Sequence, residues 1–388
     1  MKISEVINKQ IKGLWGTDFS DIKNGTPVIK TNNMTYEGVI DYSDICYRNI
    51  KKDTIGDNYL QKGDLLVEKS GGTKTHSVGY VNFFDGDNDT FVCNNFIIGL
   101  RPNNEIVDSK YLFYQLRYMY ECGYFSDCYN KTTGIQNLKA NQYLEKNIRV
   151  ESKNRQKSIA DELDGIVEAI NLKRKEVSFL DELVKSRFIE MFGDPISNPL
   201  GWEKVALSDV AEIKIGPFGS LLHKEDYIEH GHPLVNPSHI IDSSIATDSK
   251  LTISDSKYAE LSSYHLKAGD VVLGRRGEMG RCAVVKKDGM LCGTGSLIIR
   301  ANKDVTSEFI QNIISFPTYK EYIEGMAIGQ TMLNLNVPIV SNLQIIKPPL
   351  DVQKQYYDLV KLTDKSKFVC RFTPSIFYAI FLHSRHPP

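Results

Sequence analysis

Residues 60–66 read LQKGDLL, and residues 266–272 read LKAGDVV. The same spacing of 206 residues relates GTPVI at residues 25–29 to GHPLV at residues 231–235. A repeat of this length indicates two copies of a whole domain rather than a stack of short units. Each copy of the first segment predicts a tight turn at Gly-Asp followed by an apolar strand.

The spacing between the copies shortens towards their C-terminal sides. Asn137 matches Asn334 and Gln156 matches Gln353, both 197 residues apart. An insertion or deletion in a surface loop would leave such a difference. We therefore expect an α+β chain with two similar globular domains, domain 1 over residues 1–150 and domain 2 over residues 196–350.

Residues 151–195 are predicted to form a long spacer helix between the domains. A heptad spacing places seven apolar residues on one seam: Ile159, Leu163, Ile166, Ile170, Val177, Leu180 and Val184. A period of 3.5 favours packing against another long helix in a coiled coil over packing on a broad globular core. Residues 155–192 would make a rod of about 57 Å at ~1.5 Å per residue. A plain dimerisation helix is the alternative.

Two similar domains on a stiff spacer suit a ligand with two spaced, similar sites, and double-stranded DNA is such a ligand. A second spacer helix begins at residues 351–368. Its pattern then stops, because an apolar run without a heptad follows and Pro374 would break a helix. We expect a truncated second helix and an atypical tail over residues 369–388, for which a genuine apolar closing segment is the alternative.

The composition is that of a folded protein without membrane contact. Of the 388 residues, 41% are apolar and 24% charged, and no apolar run approaches the roughly 20 residues of a membrane span. With no signal-like N-terminus, we expect a cytoplasmic protein. The seven cysteines form no CxxC pair, which predicts reduced thiols and no zinc site. The formal net charge of −1 argues weakly against binding of nucleic acid by bulk charge.

Polar loops occur at matching places in both copies and are candidate DNA contacts. Arg and Lys bind phosphate or guanine, Gln pairs with adenine, and Thr contacts phosphate or a thymine methyl group. The candidates are Lys69, Ser70, Lys74, Thr132, Thr133 and Gln136 in domain 1, and Arg275, Arg276, Arg281, Gln330 and Thr331 in domain 2. Hairpin turns with solubilising charges are the competing interpretation, as is helix capping by Asn137 and Asn334.

The repeats, the LxxGD turns, the segment GWEKVALSDV at residues 201–210 and the helix from QKSIA (156–160) to FGDP (192–195) together resemble the specificity subunit of type I restriction-modification systems. The likeness covers residues 1 to about 368. It implies that each copy is a target recognition domain for one half of a bipartite, asymmetric DNA site. It also implies two long antiparallel helices that dock two adenine methyltransferase subunits, with the seven seam residues of the first helix as the subunit-docking positions, and restriction subunits that join the complex.

Motifs of catalysis are missing from the sequence. The nearest string to an amino-methyltransferase loop, NPSH at residues 236–239, lacks the second proline and the aromatic residue. No phosphate-binding GxxxxGK[ST] loop and no convincing metal-nuclease cluster occur. We expect a subunit without catalytic residues, metal or cofactor. A coiled-coil assembly protein, a self-associating chain paired through the long helix, and a silent, phase-variable version of the subunit are the alternatives.

Overall fold

The computed structural model describes residues 1–18, 25–73, 76–132, 135–327 and 334–371. The chain divides into two compact units, Met1–Leu172 and the part that begins at Lys173. Each unit therefore contains one predicted domain and part of the long helix. Both units mix helices with strands, as the α+β prediction requires.

The first unit consists of short strands with one substantial helix before the long one. Its strands are β1 (Ile7–Lys12), β2 (Thr17–Asp18), β3 (Thr26–Ile29), β4 (Cys46–Asn49), β5 (Leu65–Glu68), β6 (Ser70–Gly71), β7 (Val81–Phe83), β8 (Val92–Cys93), β9 (Ile97–Pro102), β10 (Tyr129–Thr132) and β11 (Ile135–Leu138). Its helices are α1 (Lys52–Ile55), α2 (Ser109–Glu121), α3 (Ala140–Leu144) and the first part of α4 (Lys153–Phe192).

Three sheets organise this unit. The central sheet has the order β1-β9-β5-β7 and is antiparallel throughout. A second sheet has the order β2-β4-β3-β8, in which β3 and β8 are parallel. The third, β10-β11-β6, joins two segments that lie far apart in sequence.

The repeated Gly-Asp pair forms the turn before β5, as predicted. Gly63 has φ +99°, a conformation that side chains with a Cβ rarely adopt. Asp64 is buried, and its Oδ2 accepts from Gln61 N at 2.7 Å. Its two oxygens also accept from Arg101 Nε (2.9 Å) and Nη2 (2.8 Å). The Asp of the motif thus closes the turn, and the half-buried Arg101 compensates its buried negative charge.

The second unit repeats this plan with added strands. Its strands are β12 (Lys204–Ala206), β13 (Ala211–Ile215), β14 (Tyr227–Ile228), β15 (His232–Val235), β16 (Ile240–Ile241), β17 (Ser244–Ile245), β18 (Thr252–Ile253), β19 (His265–Leu266), β20 (Val271–Gly274), β21 (Cys282–Val284), β22 (Met290–Cys292), β23 (Ser296–Ala301) and β24 (Gln344–Ile346). Its helices are α5 (Leu207–Val210), α6 (Asp255–Glu260), α7 (Ser307–Ser315), α8 (Pro317–Met326), α9 (Val337–Ser341) and α10 (Leu350–Arg371).

The central sheet of the second unit, β13-β23-β20-β21, has the strand order of the first. Gly269 has φ +91° in the turn before β20. The buried Asp270 accepts from Arg300 Nε (2.7 Å) and Nη2 (2.8 Å) and from Lys267 N (2.8 Å). β15 and β22 form the parallel pair that corresponds to β3 and β8.

Helix α4 is continuous over the predicted spacer. It ends as predicted at Gly193, whose φ of +74° allows its N–H to donate to Ile189 O at 2.8 Å. Trp202 Nε1 donates to Phe192 O at 3.2 Å, which satisfies a carbonyl left open at the helix end. Trp202 therefore links the end of α4 to the core of the second unit, against which its side chain packs.

The seam of α4 packs differently from the prediction. Ile159, Leu163 and Ile166 lie against the apolar core of the first unit, together with Ala160 and Val167. Those two residues widen the stripe, and a wide stripe suits a globular core. In the second unit, Val184 packs against the core that contains Tyr356 of α10. The expectation of helix-to-helix packing along the whole seam is thus corrected for its first three positions.

Helix α10 corresponds to the predicted second spacer helix and continues three residues past the predicted limit of 368. The atypical tail that was predicted after it lies, from residue 372, outside the described residues. No helix among the described residues has the length and apolar character needed to cross a membrane.

A buried glutamine holds each long helix on its domain. Gln156 Oε1 accepts from Asp108 N at 2.6 Å, and its Nε2 donates to Glu151 O at 2.7 Å and Ile106 O at 3.1 Å. Gln353 makes the equivalent bonds to Thr306 N at 2.9 Å and Pro348 O at 2.9 Å. The match of QK pairs in the sequence therefore reflects a docking contact that both domains use.

Gln156→Leu should lower the free energy of unfolding by about 2 kcal/mol, because it leaves one buried N–H and two carbonyls without partners at nearly constant volume. Urea unfolding of the full chain measures the change. Lys157→Leu, at the exposed neighbouring position, is the matched control. Equal stability of the two variants would show that the amide bonds of Gln156 contribute nothing.

Candidate nucleic-acid interface

The two predicted loops of domain 1 lie side by side. β6 pairs with β11 through Ser70↔Asn137 and Gly71↔Gln136. Leu138 N donates to Lys69 O at 2.8 Å and extends the pairing. Segments 67 residues apart in sequence thus form one surface at the C-terminal end of β5.

Domain 2 makes the same arrangement. Arg276 forms an isolated bridge with Asn334, and Leu335 N donates to Arg275 O at 2.9 Å. Arg275 and Leu335 are thus equivalent to Lys69 and Leu138. The structure brings together the loops that the sequence placed at matching positions in each copy.

The side chains of domain 1 divide into exposed and engaged groups. Lys69 is exposed, whereas the Ser70 hydroxyl donates to Asn137 Oδ1. Gln136 bonds to backbone at both ends of its amide, because Oε1 accepts from Val78 N at 3.2 Å and Nε2 donates to Thr73 O at 3.3 Å. Gln136 therefore fixes the shape of the loop. Thr132 belongs to β10, while Lys74 and Thr133 lie outside the described residues.

In domain 2, Arg276 is exposed. Arg275 is half-buried, its Nε donates to Asn334 Oδ1 at 3.0 Å, and burial lowers its pKa. Arg281 donates to Glu278 Oε2 at 2.6 Å and to Pro237 O at 3.3 Å. Of these three arginines, Arg276 is the one fully presented to solvent. Gln330 and Thr331 fall in the part of the chain that the structure does not describe.

Helix capping does not account for Asn137 and Asn334. The N-cap of α9 is Asn336, whose side chain accepts from Ile339 N at 2.9 Å. Asn137 and Asn334 instead bond to the partner loop, through Ser70 and Arg275. The capping alternative is therefore wrong, and both asparagines belong to the loop pair.

Glu68 is a residue of this surface that the sequence did not single out as a site. It ends β5, directly before Lys69, and only 6% of it is exposed. Domain 2 has Gly274 at the equivalent position, so the repeat gives no signal for it. Tyr36 lies nearby and stacks on His76, with ring centroids 3.7 Å apart.

Within the described ranges, no group of three or more His, Cys, Asp or Glu residues is placed to hold a metal ion. The free thiols found there are Cys46, Cys93, Cys122, Cys128, Cys282 and Cys292. Burial raises the pKa of Cys93 and Cys282 to about 12, so neither thiol forms a nucleophilic thiolate near neutral pH.

The chain is similar to known proteins over most of its length. The sequence pattern of the type I restriction modification DNA specificity domain matches residues 1–178 and again residues 199–367. The Type I restriction enzyme MjaVIII specificity subunit of Methanocaldococcus jannaschii is 21% identical over 287 residues, which cover 69% of this chain and 66% of that protein, slightly under two thirds of its length.

Two further similarities extend over more of the chain. The putative type I restriction enzyme MjaX specificity subunit of the same organism is 22% identical over 370 residues, or 88% of this chain and 81% of that protein. In fold, the chain is similar to the crystal structure of a type I restriction-modification system S subunit from M. genitalium, with a TM-score of 0.58 and 16% identity over 98% of this chain and 92% of that one.

Proposed function

Because the chain belongs to the type I restriction modification DNA specificity family, we propose that it is the non-catalytic subunit that recognises a bipartite, asymmetric site in double-stranded DNA. Each domain binds one half of the site. The subunit directs partner adenine methyltransferase and restriction subunits to that site. The partner subunits carry out the catalysis, and this chain recognises the DNA sequence at which they act.

The observation that carries the proposal is the duplicated loop pair. Each domain holds its two polar loops together by backbone bonds at the end of the central strand, β5 or β20. The loop side chains differ, with Lys69 and Ser70 in one domain and Arg275 and Arg276 in the other. Equivalent frames with different polar side chains suit two half-sites of different sequence.

We also propose that the two long helices form the spacer. Tyr356 of α10 lies against Phe188 and Phe192 of α4, with ring centroids 5.5 and 5.4 Å apart, and its hydroxyl donates to Val184 O at 3.3 Å. These contacts support a helix pair in the second unit. The part of α4 near domain 1 uses Leu163 for that domain's core instead.

The sequence predicts the seam of α4 as the docking surface for the methyltransferase, but we propose that docking uses the opposite face of this helix. Leu163 is buried and cannot also meet a partner, whereas Phe179 is 67% exposed. Leu172 and Leu183 share that exposure, and all three lie at spacings of seven and four. Large exposed apolar side chains in a row mark a protein contact surface. The same surface would serve self-association, the alternative in which two chains pair through their long helices.

Co-expression with the neighbouring methyltransferase in a methylation-free host, followed by mapping of modified adenines by single-molecule sequencing, tests the proposal. A bipartite motif with a fixed gap is expected. Lack of modification beside an active homologous subunit would support the alternative of a silent subunit. DNA binding that does not weaken with salt would favour an assembly protein.

Arg276→Ala should weaken binding of the methyltransferase complex to its site by about 5- to 150-fold, the ~1–3 kcal/mol of a bidentate contact to guanine. Competition between duplexes that each differ from the site at one base pair measures the effect. The variant should lose its preference for the correct base pair at a single position of one half-site. Lys286→Ala removes one exposed charge beside the start of β20, at the other end of this strand from Arg276, and is the control. Uniform weakening with a reduced salt slope would assign Arg276 to a phosphate, and unchanged binding would remove it from the interface.

A further inference from the structure

Glu68 carries an oxygen for which the described part of the chain provides no partner. Its side chain is buried, and no described residue places a donor within hydrogen-bond distance of Oε2. Among the described residues, Oε1 accepts from Gly72 N alone, at 3.4 Å. Burial raises the pKa of this carboxyl to about 7. A buried unsatisfied carboxyl costs stability, so its presence needs an explanation.

The carboxyl lies immediately beneath the loop pair. A Cβ built on Gly71 would stand 2.5 Å from Oε1 and would displace the carboxyl, and the φ of +135° at this position itself favours glycine. The loop backbone nearest to Oε1 is therefore that of two glycines, Gly71 and Gly72. A rotation of Glu68 or a small shift of the loop, changes that are common on binding, would expose the oxygens.

Aromatic residues face Glu68 from the neighbouring elements. Burial, followed by the charge of Glu68, raises the pKa values of Tyr36 and Tyr80. Burial raises the pKa of Tyr120, and the charge of Glu68 contributes to the same shift. His76 stacks on Tyr36. No described cation is close enough to pair with the carboxyl, since no ion pair of Glu68 occurs among the residues described. Among the described residues, Oε2 therefore has no donor and Oε1 has one long hydrogen bond.

Domain 2 shows that the fold does not require this acid. Gly274 N donates to Arg281 O at 2.9 Å, as Glu68 N donates to Tyr80 O at 3.1 Å, so the two backbone positions are equivalent. The strand and its loop form in domain 2 without any side chain at that position. Glu68 is therefore an addition to the surface of domain 1 rather than a part of the frame.

We infer that Glu68 is a specificity-determining residue of domain 1, and that its carboxylate accepts a hydrogen bond from the exocyclic amine of a base, cytosine N4 first of all, in the half-site that this domain binds. The inference rests on the proposed function and deepens it. Carboxylates are the side chains that accept from cytosine N4.

The charge of Glu68 makes the contact selective. A carboxylate near the DNA backbone is repelled by phosphates, so it favours binding only where an amine meets it. Without that amine, the complex retains a buried and unpaired carboxyl. Discrimination should accordingly rise from pH 6 to pH 8, as the carboxyl ionises.

Glu68→Gln in the methyltransferase complex tests the inference, because the amide has the same shape and no charge. Competition between duplexes changed at one base pair at a time should show a loss of discrimination of about tenfold or more at one C·G or A·T pair. The other positions, including the whole second half-site, should be unchanged. The rise in discrimination between pH 6 and pH 8 should disappear.

Glu105→Gln, an equally conservative change at an exposed site beside the opposite end of β5, is the matched control. Glu68→Gly introduces the residue that domain 2 has at this position and should lose the same discrimination. It provides the test in case the glutamine variant folds poorly. Discrimination equal to wild type at every pair in both Glu68 variants would overturn the inference alone. If the wild-type complex methylates no defined DNA sequence, the proposed function is overturned and this inference with it.

Discussion

Arg300→Met should destabilise the second unit by about 3–5 kcal/mol, the cost of leaving a buried charge without its partner. Asp270 is 2% exposed and accepts both Nε and Nη2 of Arg300. Methionine fills the space of the arginine stem but donates nothing. Lys267 N alone would remain as a donor to the carboxylate.

Hydrogen exchange of the full chain, read by mass spectrometry, locates this effect. Exchange should accelerate in β20 and β23 and stay unchanged in β5 and β9. Arg101→Met should give the mirror-image pattern through Asp64. The double variant Asp270→Asn with Arg300→Met should regain much of the lost stability, because no charge is then buried alone. Wild-type exchange in both single variants would show that the ion pairs are dispensable.

Phe192→Ala should also cost about 3–5 kcal/mol, because the cavity forms in a closed aromatic cluster. Phe192 is fully buried, with ring centroids 5.0 Å from Phe188, 5.0 Å from Phe309 and 5.4 Å from Tyr356. These rings belong to the end of α4, to α7 and to α10. The variant thus loosens both long helices from domain 2.

Phe179→Ala makes the same truncation on the same helix at an exposed site, so its unfolding free energy should stay within about 0.5 kcal/mol of wild type. Urea unfolding of the two variants beside wild type measures the difference. Similar losses in both would mean that burial at Phe192 does not determine stability at the helix end.

The features that follow local rules could be predicted from the sequence. The two domains, the Gly63 and Gly269 turns and the end of α4 at Gly193 came from spacing and turn chemistry, whereas the pairing of the two polar loops within each domain is a finding of the structure. Glycine at a positive φ and a strand after Gly-Asp leave few alternatives. These features need no knowledge of distant contacts.

Long-range contacts could not be predicted in the same way. Arg101 and Arg300 are 199 residues apart, between the spacings of 206 and 197, so the repeat does not align them without the structure. Glu68 has a glycine as its counterpart. The heptad seam suggested a coiled coil because Ala160 and Val167 were left out of the stripe, and only the domain 1 core shows that they count.

The loop pairs are held by main-chain bonds, Leu138 N to Lys69 O and Leu335 N to Arg275 O. Main-chain bonds do not depend on which side chain the residue carries. Mutations at the outward positions can therefore accumulate with little penalty in folding, and new target preferences become reachable through single neutral steps. The two copies already differ in this way, because the exposed Arg276 of domain 2 stands where domain 1 has Ser70, and both positions use the same main-chain pairing.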